Sequence, residues 1–160
     1  MRGPLFAVLL VLAQSGWAGG PSYPEPGPRD LCPVCGMVVS KYPAWIATVV
    51  YKDGHAHHFD GAKDLFKYLF DLPRYAKHHR PRDIARIGVT EYYELKRIDA
   101  RQAWFVIGSD VLGPMGHELI PLASRADAEE FLRDHQGRRI LRYDEVRRDL
   151  PGKLDQGRFD

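Results

Sequence analysis

The sequence has few cysteines and little net charge, and both facts exclude classes of protein. Only two of the 160 residues are cysteines, which excludes a disulfide-dense scaffold or a zinc site of four cysteines within one chain. Lysine and arginine total 23 and aspartate and glutamate 21, so the charge gives no reason to expect a nucleic-acid partner. The sequence also lacks G-x-S-x-G, H-E-x-x-H, a phosphate-binding glycine loop and a dinucleotide fingerprint. We therefore expect a non-enzymatic protein.

The first 18 residues are typical of a secretory signal peptide. Arg2 supplies a positive charge, residues 5–13 form an apolar run too short to span a bilayer, and Gly16 and Ala18 place small residues at the cleavage site. The mature chain would begin near Gly19, and it contains no later stretch suited to a transmembrane helix. Because no cysteine stands at the predicted cleavage site, we expect an exported, periplasmic protein without a lipid anchor.

The remaining sequence is predicted to form one domain between two polar ends. Hydrophobic residues make up 44% of the chain, which is enough to build a core. Residues 19–29 are rich in proline and glycine, and we expect an extended tether without packing contacts there. Residues 30–150 form the predicted domain, and residues 151–160 a polar, frayed tail.

The order strand, turn, strand and capped helix occurs twice within the predicted domain. Asp60 is the expected cap of the first helix and Ser124 of the second. The predicted strands cover residues 45–51, 55–59, 85–90, 94–98, 103–107, 118–122 and 139–141, and the predicted helices residues 62–70 and 125–135. We therefore predict an α+β fold of two small similar halves, about 30–80 and 81–150, with mostly antiparallel strands and one helix each. Each half alone is too small to bury a sound core, so the two should pack together.

The densest chemical signal is the CPVCGM loop (residues 32–37), which holds three sulfur side chains. Two thiols spaced as C-x-x-C serve a redox dithiol, a metal site or a structural disulfide. On an extended backbone, Cys35 and Met37 would point to the same side. Thiolate and thioether together are soft ligands that favour Cu(I), whereas zinc normally takes thiolate, imidazole and carboxylate. Core packing is the alternative role for Met37, and an oxidised disulfide the alternative for Cys32 and Cys35.

A second methionine lies in the segment Gly113-Pro114-Met115-Gly116-His117. Glycines on both sides and a proline predict a tight, exposed loop, where a core methionine is seldom found. The glycines also permit the close backbone approach that a third ligand requires. Met115 is therefore a candidate metal ligand. His117 is a possible nitrogen ligand nearby, and a solvated loop histidine is its alternative role.

Histidines cluster in His55-Ala56-His57-His58. On a strand, His55 and His57 share one face and His58 lies on the other. Alternate histidines can bind Cu(II) or Zn(II), while a solvated hairpin face is the alternative that we weigh more heavily.

Several segments together carry a resemblance to a known family. They are Cys35-Gly36-Met37, Tyr51-Lys52-Asp53-Gly54, Phe59-Asp60-Gly61, Gly108-Ser109-Asp110-Val111 and the GPMGHELIP run at residues 113–121. In this order they resemble the NosL family, the copper chaperones of nitrous oxide reductase maturation. The resemblance extends from about residue 30 to about residue 150.

The resemblance implies a fold of two similar ββαβ-type halves with one Cu(I) bound between them by soft ligands. Carried over residue by residue, it places those ligands on Cys35, Met37 and Met115. It implies nitrous oxide reductase as the client and a membrane ABC-type assembly machine as the route. Family members are commonly lipoproteins, whereas this sequence shows no lipobox cysteine. Cys32 adds a second thiol, either a fourth ligand or a redox partner of Cys35.

Three other functions fit parts of the sequence. A thiol-disulfide oxidoreductase would use Cys32 and Cys35 and would not need Met37 or Met115. A structural zinc module would combine the cysteines with two histidines and would unfold on chelation. A partner-binding domain would use the cysteines only for a stabilising disulfide. The sequence interpretation that we carry forward is a periplasmic Cu(I)-binding chaperone with Cys35, Met37 and Met115 as ligands, and with Cys32 and His117 as auxiliary residues.

Overall fold

A computed structural model describes residues 22–160 of the chain. The predicted signal peptide, residues 1–18, and the start of the predicted tether lie outside the described residues. Between residues 22 and 160, none of the helices is long and apolar enough to cross a membrane.

The described residues form strands, most of them short, and four α-helices. The strands are β1 (Ala47–Tyr51), β2 (Ala56–Phe59), β3 (Ile84–Thr90), β4 (Arg97–Asp99), β5 (Trp104–Ile107), β6 (Leu112–Gly113), β7 (Gly116–His117), β8 (Ile120–Leu122) and β9 (Arg139–Arg142). The helices are α1 (Ala62–Phe70), α2 (Leu72–Tyr75), α3 (Arg125–Asp134) and α4 (Leu150–Asp155). Both helices predicted from the sequence are present, and α1 has the predicted bounds.

The two main sheets have the same connectivity. The first has the order β2-β1-β3-β4 and the second the order β8-β5-β9. In each, two antiparallel strands are followed by a helix and by a third strand that pairs with the first, which lies in the centre. The predicted α+β fold of two similar ββαβ halves with antiparallel strands is thus confirmed. A small hairpin, β6–β7, is inserted between β5 and β8.

The division between the halves falls later in the chain than the sequence predicts. Strand β3 pairs with β1, with Ala47 opposite Val89, and β4 pairs with β3, with Gly88 opposite Asp99. Residues 84–99 therefore complete the first sheet and do not begin the second. The prediction placed the boundary at about residue 80 because it assigned the strand at residues 85–90 to the second half, whereas β3 is the third strand of the first unit.

The two halves share a single large core. Phe66 on α1 meets Phe105 on β5 edge to face, with ring centroids 5.4 Å apart. Ile107 and Leu119 of the second half lie in the same buried cluster as Val49 of the first half. A smaller cluster around Phe131 fills the space between α3 and the second sheet. Most of the buried hydrophobic residues thus belong to one cluster to which both halves contribute, as their small size requires.

The start of α1 is capped in a way that the sequence did not predict. Its N-cap residue is Gly61, which has no side chain to cap the helix, and the predicted cap from Asp60 is absent. The carboxyl group of Glu118, from the other half, accepts a hydrogen bond from the backbone N–H of Lys63 at 2.5 Å. A Cβ on Gly61 would collide with this carboxyl group. The predicted cap of α3 is correct, since Ser124 Oγ accepts from the N–H of Asp127 at 3.1 Å.

Both ends of the described chain pack, contrary to the sequence prediction. Tyr23, in the predicted tether, is 8% exposed and donates its hydroxyl to the carbonyl of Ile87 at 3.2 Å. Its ring lies against Gly88, where a Cβ would collide with it. In the predicted tail, α4 buries Leu150 and Leu154. These residues are one helical turn apart, so a single face of the short helix closes the core.

Candidate metal centre

The CPVCGM loop is a tight turn closed by its own backbone. The N–H of Cys32 donates to the carbonyl of Met37 and the N–H of Gly36 to that of Cys32, both at 2.8 Å. Gly36 has φ +80°, a left-handed conformation that favours glycine. Cys35 therefore lies in a turn rather than on an extended segment, and the strand-type alternation used to orient Cys35 and Met37 does not apply. The loop instead fixes both cysteines near α1.

The two thiols are free and each is paired with a buried carboxylate. Cys32 is 1% exposed and its Sγ donates to Asp64 Oδ2 at 3.5 Å. Cys35 is partly exposed and its Sγ donates to Asp60 Oδ1 at 3.2 Å. One ligand atom from each of these four residues lies within 4.8 Å of the other three. The four groups thus form one compact cluster at the N-terminus of α1.

Burial keeps both cysteines protonated in the metal-free protein. Loss of solvation raises the pKa of Cys32 to about 12, against the opposing effect of nearby backbone N–H groups. Loss of solvation also raises the pKa of Cys35, and its hydrogen bonds to Cys32 and Asp60 act in the same direction. A reactive redox dithiol requires a lowered thiol pKa. This environment therefore disfavours the thiol-disulfide oxidoreductase that the sequence left open.

The two carboxylates are site residues that the sequence analysis missed. Asp60 follows β2 and is 1% exposed, and Asp64 lies in the first turn of α1 and is 2% exposed. Among the residues that the structure describes, Asp60 Oδ2 is buried without a hydrogen-bond partner. Asp64 Oδ1 lies 3.3 Å from Lys67 Nζ. The spacing of four residues could have indicated a shared face, but Asp60 was interpreted as a helix cap.

The hairpin that carries Met115 is attached to the same end of α1. Met115 lies between β6 and β7 and is 41% exposed, as the glycine-rich sequence predicts. Its carbonyl accepts a hydrogen bond from Lys63 Nζ at 2.7 Å. Lys63 precedes Asp64, the hydrogen-bond partner of Cys32. The structure therefore places both the CPVCGM loop and the Met115 hairpin beside the first turn of α1.

A buried ammonium group links the hairpin to the C-terminal helix. Lys63 has no exposed side-chain surface, and its Nζ lies 3.0 Å from Asp155 Oδ1 on α4. Lys67 Nζ lies 2.8 Å from the other oxygen of Asp155. The charge of Lys63 is thus paired with Asp155. Lys63 holds the hairpin through the backbone carbonyl of Met115, and the Met115 residue remains 41% exposed.

Among the described residues, no histidine supplies a ligand atom to the cluster of thiols and carboxylates. The ring of His117 packs edge to face against Phe159, with centroids 5.0 Å apart. Within residues 22–160, His117 is not among the groups that cluster with the two thiols. His58 Nδ1 lies 3.0 Å from Thr48 Oγ1. His55 and His57 contact each other and Tyr51, on the face opposite to His58, as the strand pattern predicts.

Comparisons with known proteins agree with this architecture. A sequence model of the family described as NosL matches residues 25–151. The copper-binding lipoprotein NosL of Stutzerimonas stutzeri is 29% identical over 123 residues, which are 73% of this chain and 62% of that relative. The chain thus spans about three fifths of the relative's length. The crystal structure of the copper chaperone NosL from Shewanella denitrificans matches with a TM-score of 0.64 and 27% identity, over 78% of this chain and 95% of that chain.

The names of both relatives describe metal-binding and chaperone proteins. Neither name describes an enzyme, in agreement with the prediction of a non-enzymatic accessory protein.

Proposed function

Because this chain belongs to the NosL family, whose sequence model matches residues 25–151, we propose that it is a periplasmic metallochaperone for Cu(I). Its proposed client is nitrous oxide reductase, reached through a membrane ABC-type assembly complex as the resemblance implies. The observation that carries the proposal is that two free thiols, one buried and one partly exposed, and the backbone of the Met115 hairpin all contact side chains at the start of α1. The names of the two relatives support copper as the cargo.

The proposed ligands are Cys35, Met37 and Met115. Cys35 and Met37 are partly exposed and Met115 is 41% exposed, so an ion held by them is reachable from solvent. Cys32 is 1% exposed and lies behind Cys35, where it serves as an auxiliary thiol. One thiolate and two thioethers are soft donors, which favour Cu(I) over Cu(II) and over harder ions.

Uptake of the ion exchanges a proton for a metal bond. When the sulfur of Cys35 binds Cu(I), the S–H bond breaks and the proton leaves. Asp60 Oδ1, 3.2 Å from this sulfur, is a hydrogen-bond acceptor already in place. The second oxygen of Asp60 is buried and has no hydrogen-bond partner among the described residues, so no other donor occupies it.

Release follows from the exposed position of Met115. A donor on the client can displace a thioether at the surface first, and the remaining ligands then follow one at a time. Because each ligand is replaced as it leaves, the ion does not need to pass through water. The chain therefore transfers its cargo by ligand exchange and requires no catalytic turnover.

A zinc site is the second candidate, and one specific observation favours it. The atoms that cluster within 4.8 Å are two thiols and two carboxylates, and both ligand types suit tetrahedral Zn(II). The sequence-based version of this hypothesis used two histidines, but the structure brings Asp60 and Asp64 to the cysteines instead. The two candidates share only Cys35. Cu(I) requires the thioethers of Met37 and Met115, whereas Zn(II) takes the other thiol and the two carboxylates and needs no thioether.

The experiment is an anaerobic titration of the reduced, metal-free chain with Cu(I) against a chromophoric chelator. We expect one Cu(I) per chain, with affinity reduced at least about tenfold, or 1.4 kcal/mol, in Cys35→Ser and in Met115→Leu. Leu112→Ala is the matched control, because it removes an exposed apolar side chain from the same hairpin without removing sulfur. Its affinity should equal that of the parent chain.

The same variants titrated with Zn(II) separate the two candidates. The zinc site would be favoured if the chain bound Zn(II) more tightly than the chelator does. That binding should be lost in Cys35→Ser and in Asp60→Asn and retained in Met115→Leu. Cu(I) binding that ignores Met115 would contradict a site shared by the two halves. Cell fractionation with and without detergent tests the location, since the S. stutzeri relative is named a lipoprotein.

A further inference from the structure

Three histidines and a tyrosine form a cluster at the β1–β2 turn of the first sheet. Tyr51 ends β1, His57 lies on β2, and His55 lies in the turn between them. His79 comes from the loop after α2 and stacks on Tyr51 with ring centroids 3.7 Å apart. The His55 ring is centred 4.8 Å from that of His57 and 5.6 Å from that of His79. The fold therefore brings imidazoles together from two segments, the β1–β2 hairpin and the loop after α2.

Asp53 holds this cluster together. Its Oδ1 accepts the backbone N–H of His55 at 3.0 Å, and its Oδ2 lies 3.0 Å from Nε2 of His79. A carboxylate on one ring nitrogen of a histidine orients the ring and leaves the lone pair of the other nitrogen for a ligand. Because Asp53 holds Nε2 of His79, Nδ1 is the nitrogen left for a ligand. Metal-binding histidines commonly have a carboxylate on their second nitrogen in this way.

His57 supplies an unpaired nitrogen. Among the described residues, its Nδ1 is buried and has no hydrogen-bond partner, although buried imidazole nitrogens normally have one. His57 and His79 line a cavity of about 340 Å³ together with Asp53, His55 and His78. Lys77 adds an ammonium group to the same lining. The cavity is large enough for an ion with bound water, and it offers nitrogen donors without a sulfur.

We propose that His55, His57 and His79 form a second site, for a divalent transition-metal ion that prefers imidazole, such as Cu(II), Ni(II) or Zn(II). Bonds from imidazole to such ions are about 2 Å long, so bound nitrogens lie about 3 to 4 Å apart. In the structure the ligand nitrogens of these three histidines do not all lie within 4.8 Å of one another, so binding requires rotation of the exposed side chain of His55. Nitrogen donors suit these ions and sulfur donors suit Cu(I), so the two sites select different cargo.

The two sites are neighbours. A second cavity, of about 200 Å³, is lined by Leu31 and Pro33, which flank Cys32, and by His55, His57 and His58 of the hairpin. An ion at the histidines therefore lies next to the CPVCGM loop without sharing its donors. Because no ligand is common to the two sites, the proposed histidine site stands or falls independently of the Cu(I) chaperone function.

The test uses the full chain carrying Cys32→Ser and Cys35→Ser, which prevents the thiols from binding or reducing the probe. Cu(II) is titrated and followed by electron paramagnetic resonance, and Ni(II) by calorimetry. We expect one ion per chain with nitrogen hyperfine coupling, and at least about tenfold weaker binding in His57→Ala and in His79→Ala. His55→Ala should also weaken the binding of both ions. Because the side chain of His55 is exposed, its removal does not endanger the fold.

His58→Ala and His135→Ala are the matched controls. His58 lies on the opposite face of the strand, beside Thr48, and His135 is paired with Asp110 in the other half. Both controls should bind Cu(II) as the parent does. Unchanged binding in the His57 and His79 variants, equal loss in the controls, or no binding by the parent would each overturn the proposal.

Discussion

Glu118 is a buried carboxyl whose replacement by glutamine tests how the two halves are joined. It is 3% exposed and accepts backbone hydrogen bonds from Lys63 at the start of α1 and from Leu119. Loss of solvation raises its pKa to about 8, from an ordinary value of 4.5, although the two backbone N–H groups and the charge of Lys63 oppose the shift. The folded protein therefore keeps Glu118 protonated at neutral pH.

This shift makes the stability of the fold depend on pH. Between pH 4.5 and about 8 the folded chain retains a proton that the unfolded chain releases. The free energy of unfolding therefore falls as the pH rises through this window, and the full contribution of Glu118 is present only below it. Each pKa unit corresponds to about 1.4 kcal/mol. The upper bound is about 5 kcal/mol, and we expect about 3 kcal/mol after local relaxation and hydration.

Glutamine removes the titration but keeps the oxygen that accepts both backbone N–H groups. We expect Glu118→Gln to unfold within about 1 kcal/mol of the parent at pH 5 and to be about 3 kcal/mol more stable at pH 9. Glu118→Ala leaves two buried N–H groups without an acceptor, so it should lose about 2–4 kcal/mol at pH 5. The measurement is urea unfolding of the reduced, metal-free chain, followed by tryptophan fluorescence at both pH values.

Comparison of the two variants at two pH values isolates Glu118, because the other titrating groups are common to every chain. A difference between parent and Glu118→Gln that is the same at pH 5 and pH 9 would refute the reasoning. A parent that gains stability over Glu118→Gln at pH 9 would show that Glu118 is ionised and paired with Lys63 instead.

Three further predictions concern the segments that hold the site. Tyr23→Ala should lower the free energy of unfolding by about 2–4 kcal/mol, because its ring packs on the first sheet. A loss below about 0.5 kcal/mol in urea unfolding would contradict this packing and support the loose tether predicted from the sequence. Leu154→Ala should cost about 2–4 kcal/mol, and Lys153→Ala, on the same helix, should cost less than about 1 kcal/mol; equal losses would contradict the packing of α4. Lys63→Met removes the donor that holds the Met115 carbonyl and should weaken Cu(I) binding about threefold to tenfold, or about 0.7–1.4 kcal/mol. Cu(I) affinity equal to that of the parent, in a Lys63→Met chain that is still folded, would show that the hairpin is positioned without Lys63.

The elements with a strong local signal were predictable from the sequence. Strand β1 follows from a run of β-branched residues, and α1 from apolar residues at helical spacing. Helix α4 was not predictable, because a helix of six residues with Pro151 and Gly152 inside it has little intrinsic stability. It exists because Leu150 and Leu154 complete the core. Likewise, nothing local to Tyr23 indicates that Gly88 leaves room for its ring.

The candidate site was only half predictable, for a related reason. Ligand softness made the cysteines, Met37 and Met115 candidates without any structure, because the donor atoms themselves carry that information. The structure brings the two cysteines into one cluster, and the methionine ligands stay a prediction. Asp60 and Asp64 were missed because a carboxylate at the start of a helix has a simpler role as a cap or as a partner of the helix dipole. Their burial depends on which loop covers them, and the C-x-x-C spacing does not reveal that the CPVCGM loop does so.

The origin of the α1 cap connects the proposed Cu(I) site to the packing of the two halves. The first half supplies the cysteines and both aspartates, but the first turn of α1 is satisfied by Glu118 from the second half. The hairpin with Met115 belongs to that second half and is fixed to the same turn through Lys63. An ion held by Cys35 and Met115 would bind only the docked arrangement. By linkage it would stabilise that arrangement by about 2.7 kcal/mol at a free Cu(I) concentration 100-fold above the dissociation constant. Cargo binding and the packing of the two halves are therefore expected to be coupled.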